Sequence, residues 1–419
     1  MGHLRPLLPV AARLVDRGHE VWWHTSKERK DLVEASGARF TPFVHTPTLE
    51  ELPPEPPGGE RWLAAVNGQL RRFLVDRAMG QVRDYQAILD TCPADVLVVD
   101  ACSLGALLMH ELGGPVWANG TGHTPLSMVC PDDPPWGAGR PPATTTIGRL
   151  RDRSLNGFAK HLLLRPLTAA FNQVRSQLGL RPLPRGKTVL DLPISPYLQL
   201  ARTTHAFEYP RRSLPPQIHL IGPLVPPPPK DFTPPLWWPE LSATDRVVHV
   251  SQGTITTDTE QLVEPAIHAL GGTDVLLVVT TPDPSLLGPL PDNVRVARWL
   301  PHEVLLPEVD VFVTNAGFGA VSTALAYGVP MVASGRTQDK PEVCARIAWA
   351  KVGIVLDTVP PDPAQLRSAV TSVLADPVYR TNAARVQADF ARHDSPALAV
   401  GLLERLAITK SPVVRTRDA

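Results

Sequence analysis

An apolar strand pattern, a turn of small residues and a helix pattern follow one another after Asp310. Val311–Thr314 is apolar, residues 315–320 are mostly small, and residues 328–330 read Gly-Val-Pro and open a second apolar stretch. This order predicts a βα unit followed by a second parallel strand, as in doubly wound α/β domains. The turn would expose backbone N–H groups at a helix N-terminus, where anions bind. Because Asp339 lies just beyond the next strand, the unit suits a nucleotide sugar, with the diphosphate on the helix and the sugar hydroxyls on the carboxylate.

The composition is typical of a globular protein with two domains. The chain has 419 residues, of which 43% are hydrophobic and 20% charged, and its 41 basic and 41 acidic residues balance. This balance predicts no nucleic-acid partner, and no apolar run reaches the roughly 18 residues of a membrane span. The four cysteines show no C-x-x-C spacing and the N-terminus lacks a signal-peptide pattern, so we expect a cytoplasmic protein with reduced thiols. The oligomeric state is not predicted.

Helix and strand patterns alternate in both halves of the chain. Residues 4–15 carry apolar residues at helical spacing, and residues 95–99 and 274–280 are near-continuous apolar runs, typical of buried parallel strands. The four consecutive prolines at 226–229 predict a semi-rigid linker. We therefore expect two Rossmann-like domains that face a cleft. The predicted segments are residues 1–220, a linker at 221–240, residues 241–400, and a terminal helix or tail at 401–419.

Five short motifs occur in order along the chain. They are Gly2-His3-Leu4-Arg5-Pro6, Arg17-Gly18-His19-Glu20-Val21, Val250-Ser251-Gln252-Gly253-Thr254, Trp299-Leu300-Pro301, and the block at 311–346. Together they make the chain resemble family 1 glycosyltransferases of the GT-B type, especially the bacterial enzymes that glycosylate macrolides, glycolipids and other natural products. The resemblance implies an inverting hexosyltransferase. The first domain would bind an apolar acceptor that carries a hydroxyl, and the second would bind a UDP- or dTDP-linked sugar.

The resemblance also implies that His3 is the catalytic base and that Asp100 is its partner. An imidazole suits the role because its pKa lies near neutrality, and a carboxylate at the end of strand 95–99 can orient it and stabilise its charged form. The residues alone allow other interpretations. A histidine beside an N-terminus is usually a solvated surface residue, and Asp100 also suits an N-cap for a helix beginning at Leu104.

For the donor, the resemblance assigns stacking on the nucleobase to Trp299; a core position under the linker is the alternative. It assigns the diphosphate to Thr254 and to the helix N-terminus. Asp339 is expected to contact the sugar, and Lys340 is expected either to reach the sugar or phosphate or to be a surface lysine. The backbone amides of that helix N-terminus belong to Gly317, Phe318, Gly319 and Ala320.

Some positions depart from the family pattern. Asn315 and Ala316 stand where relatives have His and a second Gly; an Asn amide can still donate to phosphate but carries no charge. Thr323 replaces a Glu that holds the ribose hydroxyls, which favours a deoxythymidine diphosphate donor. Lys340 replaces a Gln.

No D-x-D motif follows a strand in this chain. The nearest candidate is Asp258-Thr259-Glu260, but with the preceding Thr257 it suits a capping box that opens a helix at residue 261. We therefore expect a metal-independent enzyme with no cofactor other than its nucleotide-sugar co-substrate.

Relatives have a complete first strand ahead of the motif that begins here at Gly2. That strand would lie in the middle of a parallel sheet, and its loss would leave two inner edges unpaired. We expect Met1 to be an internal methionine of a longer gene product that starts roughly 10–20 residues upstream, enough for one strand and its turn.

Three other functions fit parts of the sequence. The departures from the family pattern also suit a catalytically inactive, transferase-like partner that activates another enzyme, although retention of His3 and Asp100 opposes this. Residues 317–322 approach the G-x-G-x-x-G pattern of dinucleotide-binding oxidoreductases, but the third glycine is Ser322. A sugar-nucleotide epimerase would share the fold but would carry acidic residues around the donor sugar in place of an acceptor base.

Overall fold

Two separate groups of parallel strands organise the protein. Its computed structural model describes residues 4–52, 62–120, 130, 133–211, 214–229, 231–253 and 258–415. His3 and Thr254 therefore lie outside the described residues. None of the described helices is long and apolar enough to cross a membrane.

In the first half, the described strands form a four-stranded sheet of order β3-β4-β5-β6 and a two-stranded sheet of β1 and β2, with every pairing parallel. Strands β1 to β6 are Trp22–Thr25, Arg39–Pro42, Val96–Val99, Val116–Asn119, Leu198–Ala201 and Ile218–Leu220. Helices α1 to α7 are Leu8–Asp16, Lys30–Glu34, Trp62–Leu74, Ala78–Thr91, Gly105–Glu111, Thr146–Phe158 and Arg165–Gln177.

In the second half, the described strands form one parallel sheet of order β12-β11-β10-β7-β8-β9. The chain order reverses between β7 and β10, and this reversal is the switch point at which doubly wound sheets bind ligands. Strands β7 to β12 are Val247–Ser251, Leu276–Thr280, Val294–Ala297, Val311–Thr314, Met331–Ala333 and Gly353–Val355. Helices α8 to α14 are Glu240–Ala243, Val263–Leu270, His302–Leu305, Phe318–Ala326, Lys340–Ala350, Pro363–Ala375 and Pro377–Phe390.

The central strands of the second sheet are apolar because both of their faces are covered. In β10, Phe312 packs into the cluster that contains Phe318, while Val311 and Val313 pack into the cluster on the other face. All three side chains are completely buried. This is the arrangement that a near-continuous apolar strand pattern predicts.

The last helix, α15 (Ser395–Thr409), packs on the first sheet after the chain has completed the second. Its Val400 and Leu403 share a buried cluster with Val10 and Leu198. The predicted boundary at residue 401 falls inside this helix. The two halves are thus joined by the chain twice, once through residues 221–240 and once through α15.

The parallel α/β architecture with two Rossmann-like halves, predicted from the sequence, is confirmed. The predicted helix at residues 4–15 appears as a short 3₁₀ turn, Arg5–Leu7, followed by α1. The strand predicted at residues 311–314 has the same bounds in the structure.

Candidate active site

A cleft of about 2190 Å³ lies between the two halves and is lined by both. Asp100 and Arg202 line it from the first half, where they follow β3 and β5. Gly317 and Asp339 line it from the second half, beyond β10 and β11. Its residues therefore come from the carboxyl ends of strands in both sheets, where ligands bind in such folds.

The N-terminus of α11 (Phe318–Ala326) faces this cleft. Gly317 is its N-cap, and among the described residues no side chain caps the helix through a hydrogen bond. Gly317, Phe318, Gly319 and Ala320 all line the cleft, as the sequence predicted. Phe318 is only 5% exposed, so its ring anchors the helix while the first turn stays at the cleft wall. Exposed N–H groups and the helix dipole make this turn suitable for a diphosphate.

Asn315 holds the turn before α11 in place. Its amide nitrogen donates to the carbonyl of Gln252, and its Oδ1 accepts from the backbone N–H of Gly317 at 3.3 Å. The side chain that the sequence offered as a phosphate donor thus ties the loop after β7 to the loop after β10. Ala316 has a φ of 63°, in the left-handed region, which explains why a glycine suits this position.

Asp100 and Asp339 come from opposite halves, and both interact electrostatically with the Arg202 guanidinium and the Cys102 thiol. Burial lowers the pKa of Arg202 to about 10, while Asp100 and Asp339 both act to raise it. Burial also raises the pKa of Cys102, and the same two carboxylates contribute. The two carboxylates, which are far apart in sequence, therefore both act on Arg202 and Cys102 at the cleft.

Asp100 is not a helix N-cap. Helix α5 begins at Gly105 with Leu104 at the N-cap position, so the alternative interpretation of Asp100 is wrong. Its Oδ1 instead accepts from the backbone N–H of Cys102 at 2.8 Å. This bond fixes the carboxylate at the end of β3, at the wall of the cleft.

Arg202 is a site residue that the sequence analysis missed. It directly follows β5, is only 3% exposed, and its guanidinium carbon lies 5.7 Å from the centroid of the Phe318 ring. It is therefore a residue of the first half that contacts the first residue of α11 in the second half. The available signal was the one used for Asp100: a charged residue immediately after an apolar strand.

Trp299 is 48% exposed and lines the cleft. A core position under the linker is therefore wrong. The guanidinium carbon of Arg5, from the first half, lies 5.4 Å from the centroid of its ring. An exposed indole face at the cleft is suited to stacking on a nucleobase.

A pair of histidines packs together between β7 and α10. The Nε2 atoms of His249 on β7 and His302 on α10 are 3.3 Å apart, and Nδ1 of His249 lies 3.0 Å from the carbonyl oxygen of Val278. Burial, with His302 nearby, lowers the pKa of His249 to about 3. Burial, with Arg5 nearby, lowers that of His302 to about 4. Both rings are therefore neutral at pH 7.

The remaining residues predicted on the donor side, Asp339, Lys340 and Thr323, also line the cleft. Asp339 is the N-cap of α12 (Lys340–Ala350), and it lines the cleft. Lys340 also lines the cleft, so it is not simply a surface lysine; its Nζ donates to Thr337 Oγ1 at 3.2 Å, and burial lowers its pKa. The hydroxyl of Thr323 donates to the carbonyl of Gly319 at 2.9 Å, so this side chain forms a hydrogen bond within α11.

Asp258 caps the 3₁₀ turn Thr259–Gln261 through the backbone N–H of Glu260. Thr257, which the sequence predicts to form a capping box with Glu260, lies outside the described residues. In the part of the chain that the structure describes, no three His, Cys, Asp or Glu side chains are grouped as a metal site requires. Metal independence stays a prediction.

Comparison with known proteins identifies the family. Residues 265–406 match the C-terminal domain of erythromycin biosynthesis protein CIII-like proteins. The 4'-demethylrebeccamycin synthase of Lentzea aerocolonigenes is 40% identical over 410 residues, 97% of both chains. The chain belongs to the GT-B glycosyltransferases.

Other relatives and structures agree with this assignment. UDP-glycosyltransferase 2 of Phaeomoniella chlamydospora is 32% identical and aligns with 94% of this chain and 91% of its own length. The kitacinnamycin glycosyltransferase has the same fold, with a TM-score of 0.71 at 23% identity over 96% of this chain and 95% of that one. The glycosyltransferase VinC, solved with dTDP, has a TM-score of 0.65 at 20% identity over 97% of both chains. This chain is thus a glycosyltransferase of the natural-product type.

Proposed function

We propose that this glycosyltransferase moves a sugar from a UDP- or dTDP-linked donor to a hydroxyl of an apolar acceptor, with inversion at the anomeric carbon and without a metal ion. The observation that supports this most is that Asp100 and Asp339, from opposite halves, line one cleft together with the N-terminus of α11, and that both act on the pKa of Arg202. One carboxylate serves an acceptor-side base, and the other serves the donor sugar.

In the proposed reaction, the nucleobase stacks on Trp299 and the diphosphate binds the first turn of α11. Neutral His3 removes the proton of the acceptor hydroxyl, and Asp100 orients the ring and stabilises the imidazolium that forms. The oxygen forms a bond to the anomeric carbon as the bond from that carbon to the diphosphate breaks. The charge that develops on the leaving diphosphate is stabilised by the amides of α11, which supply electrostatic stabilisation without a metal.

A dTDP-linked donor is favoured over a UDP-linked one. VinC was solved with dTDP, while a fungal relative is named for UDP. Thr323 offers no carboxylate to a ribose 2′-hydroxyl, which favours dTDP. The apolar character of the acceptor rests on the family and on the predominantly apolar lining of the cleft, which includes Phe43, Phe73 and Leu97.

A panel of UDP- and dTDP-sugars tests the proposal. A binding donor raises the melting temperature, since a ligand of the native state stabilises by RT ln(1 + [L]/Kd). With the selected donor, we expect the protein to release nucleoside diphosphate with no partner protein present. EDTA should leave this activity unchanged, and His3→Ala should abolish it. NMR of the transferred sugar should show the inverted anomer. Retention, or turnover that EDTA abolishes, would contradict the corresponding part of the mechanism.

A further inference from the structure

A buried cluster of charged side chains joins the two halves outside the residues that line the cleft. Glu208 and Arg211 follow β5 in the first half, while Glu342 and Arg346 lie on α12 in the second. Asp133 contributes from the loop before α6. All five side chains are no more than 7% exposed.

Arg346 forms the central bond of this ionic cluster. Its Nε and Nη2 atoms donate to the two carboxylate oxygens of Glu208, both at 3.0 Å. Its Nη1 donates to the backbone carbonyl of Glu342 at 2.8 Å. This paired geometry fixes the direction as well as the distance of the contact. Burial alone would raise the pKa of Glu208, but Arg346 and Arg211 outweigh burial and hold it at about 2.

A second set of contacts links α12 to the loop before α6. Glu342 Oε1 accepts from the backbone N–H groups of Gly137 and Gly139, at 3.0 and 3.3 Å. Gly139 has a φ of 60°, and a Cβ placed there would approach Pro341 to 3.0 Å. Arg211 donates to Asp133 Oδ2 at 2.8 Å and to Glu208 at 2.7 Å. The loop and the helix are therefore closely packed and hydrogen-bonded.

An aromatic contact covers the guanidinium. Its carbon lies 4.7 Å from the centroid of the Tyr209 ring, and that ring packs edge-on against Trp349 at 5.3 Å. The planar group is thus held on its edge by Glu208 and on its face by Tyr209. Lysine would reproduce the charge of Arg346 but neither the fork nor the stacking.

The position of the cluster on α12 links it to the donor sugar. Asp339 is the residue before α12, and Glu342 and Arg346 lie on the first two turns of that helix. Gln338, just before Asp339, has a φ of 59°. Asp339 thus lies between Gln338, which has an unfavourable backbone conformation, and α12, which is hydrogen-bonded to the first half.

We infer that the Glu208–Arg346 pair is a positioning element that fixes α12 against the first half. Asp339 therefore faces the donor sugar at a fixed position relative to Asp100. This inference rests on the proposed function, because Asp339 is assigned the donor sugar there. The nucleobase and diphosphate contacts, at Trp299 and α11, lie on other elements. Loss of the pair should therefore weaken recognition of the sugar and spare recognition of the nucleoside diphosphate.

The test measures equilibrium affinity for the preferred nucleotide sugar and for its nucleoside diphosphate by calorimetry, well below the melting temperature of each variant. For Glu208→Gln we expect a 10- to 100-fold loss of affinity for the nucleotide sugar, with a change of less than threefold for the nucleoside diphosphate. Arg346→Lys, the milder variant, should show the same pattern to a smaller degree.

Glu240→Gln is the matched control. Glu240 also forms a two-bond pair with an arginine, Arg295, at 3.0 and 2.6 Å, but it lies on α8 and is more exposed. It should leave both affinities unchanged. A double variant tests whether Glu208 acts through Asp339. In an Asp339→Asn background, Glu208→Gln should cause no further loss of affinity for the nucleotide sugar, because a positioning residue acts through the group it positions.

Equal loss of both affinities would mean general distortion of the donor half and would overturn the inference. Additive losses in the double variant, or a lower melting temperature with both affinities intact, would overturn it too. If the wild-type protein binds nucleoside diphosphates and sugars but transfers nothing, the proposed function fails while the affinity comparison still decides the role of the pair.

Discussion

The second half of the molecule has one complete sheet, whereas the described strands of the first half form two. In the second sheet, β7 and β10 are buried along their whole length. In the first half, Val98 on β3 is 38% exposed and Trp22 on β1 is 40% exposed, and both line the cleft. The central strands of the half assigned to the donor are thus fully covered, while the half assigned to the acceptor presents strand residues to the cleft.

This difference shows how the work of the site is divided. The second half contributes a helix N-terminus, an indole and Asp339, all held by a continuous core. The first half contributes Asp100 and Arg202 at the ends of strands that belong to a smaller sheet. We therefore expect binding to depend mainly on the second half and chemistry mainly on the first.

The sharpest test of that division is Asp100→Asn. Because the amide cannot stabilise a charged imidazole, we expect kcat to fall about 10²- to 10⁴-fold, as for other bases that lose their carboxylate partner. The affinity for nucleoside diphosphate should stay within about twofold, which is less than 0.5 kcal/mol. Kinetics with a saturating donor, combined with calorimetry, would check this. A matching loss of nucleotide affinity would show that the two roles are not separated.

Two strand substitutions, one at a buried position and one at an exposed position, compare the two sheets. Phe312→Ala removes a completely buried ring from β10 and should lower the free energy of unfolding by about 3–5 kcal/mol. Val98→Ala, on the exposed β3, should cost less than about 1 kcal/mol. Urea unfolding followed by circular dichroism would measure both. Similar costs would mean that the first sheet is as well packed as the second.

Arg202→Met removes the cation that joins the halves within the cleft. Since Asp100 and Asp339 would lose a shared positive neighbour, we expect kcat/KM to fall about 10- to 100-fold, equivalent to roughly 1.4–2.8 kcal/mol. Arg202→Lys should recover part of this loss because it restores the charge. Steady-state kinetics on both variants, with melting temperatures as a control for folding, would check the prediction. Full activity in Arg202→Met would exclude Arg202 from the site.

The histidine pair should make the second half sensitive to acid. His302 has a pKa of about 4 in the folded protein, below the ordinary value of 6.5, so the unfolded chain takes up a proton first as the pH falls. The contribution of His302 to the free energy of unfolding is therefore fully present above pH 6.5 and decreases towards pH 4. Over this pH range, His302→Gln should lose about 1–3 kcal/mol less of its free energy of unfolding than the wild-type protein does. Unfolding curves at pH 7, 5.5 and 4.5 would show it; an unchanged slope would contradict the burial of this ring.

The smallest effect is expected at Ala316. Its left-handed backbone costs an L-residue about 1–2 kcal/mol, and glycine removes that cost but adds about 0.5–1 kcal/mol of chain entropy. Ala316→Gly should therefore stabilise the protein by up to about 1 kcal/mol. Ala324→Gly, in the middle of α11, should instead destabilise it by about 1 kcal/mol. Thermal unfolding of the two variants gives the comparison, and a shift in the same direction for both would refute the argument.

Much of the site could be predicted because parallel sheets impose a simple rule. Residues that follow strands collect at the carboxyl edge, so Asp100, Gly317 and Asp339 could be placed in one cleft from apolar strands and turn residues alone. Arg202 obeys the same rule and could have been found in this way. The interaction of Asn315 with the Gln252 carbonyl could not, because the sequence does not show which of two nearby loops an amide will contact.

The sequence by itself determined the alternation of helices and parallel strands and the βα unit after Asp310, since apolar spacing, glycine corners and prolines act over a few neighbouring residues. Only the tertiary structure decided that Glu208 and Arg346 pair in the interior, where a sequence reader would leave both in solvent. A buried charge is stable only when its partner is present, and here that partner comes from the other half of the chain. The same dependence on distant neighbours decides which carboxylates meet in the cleft.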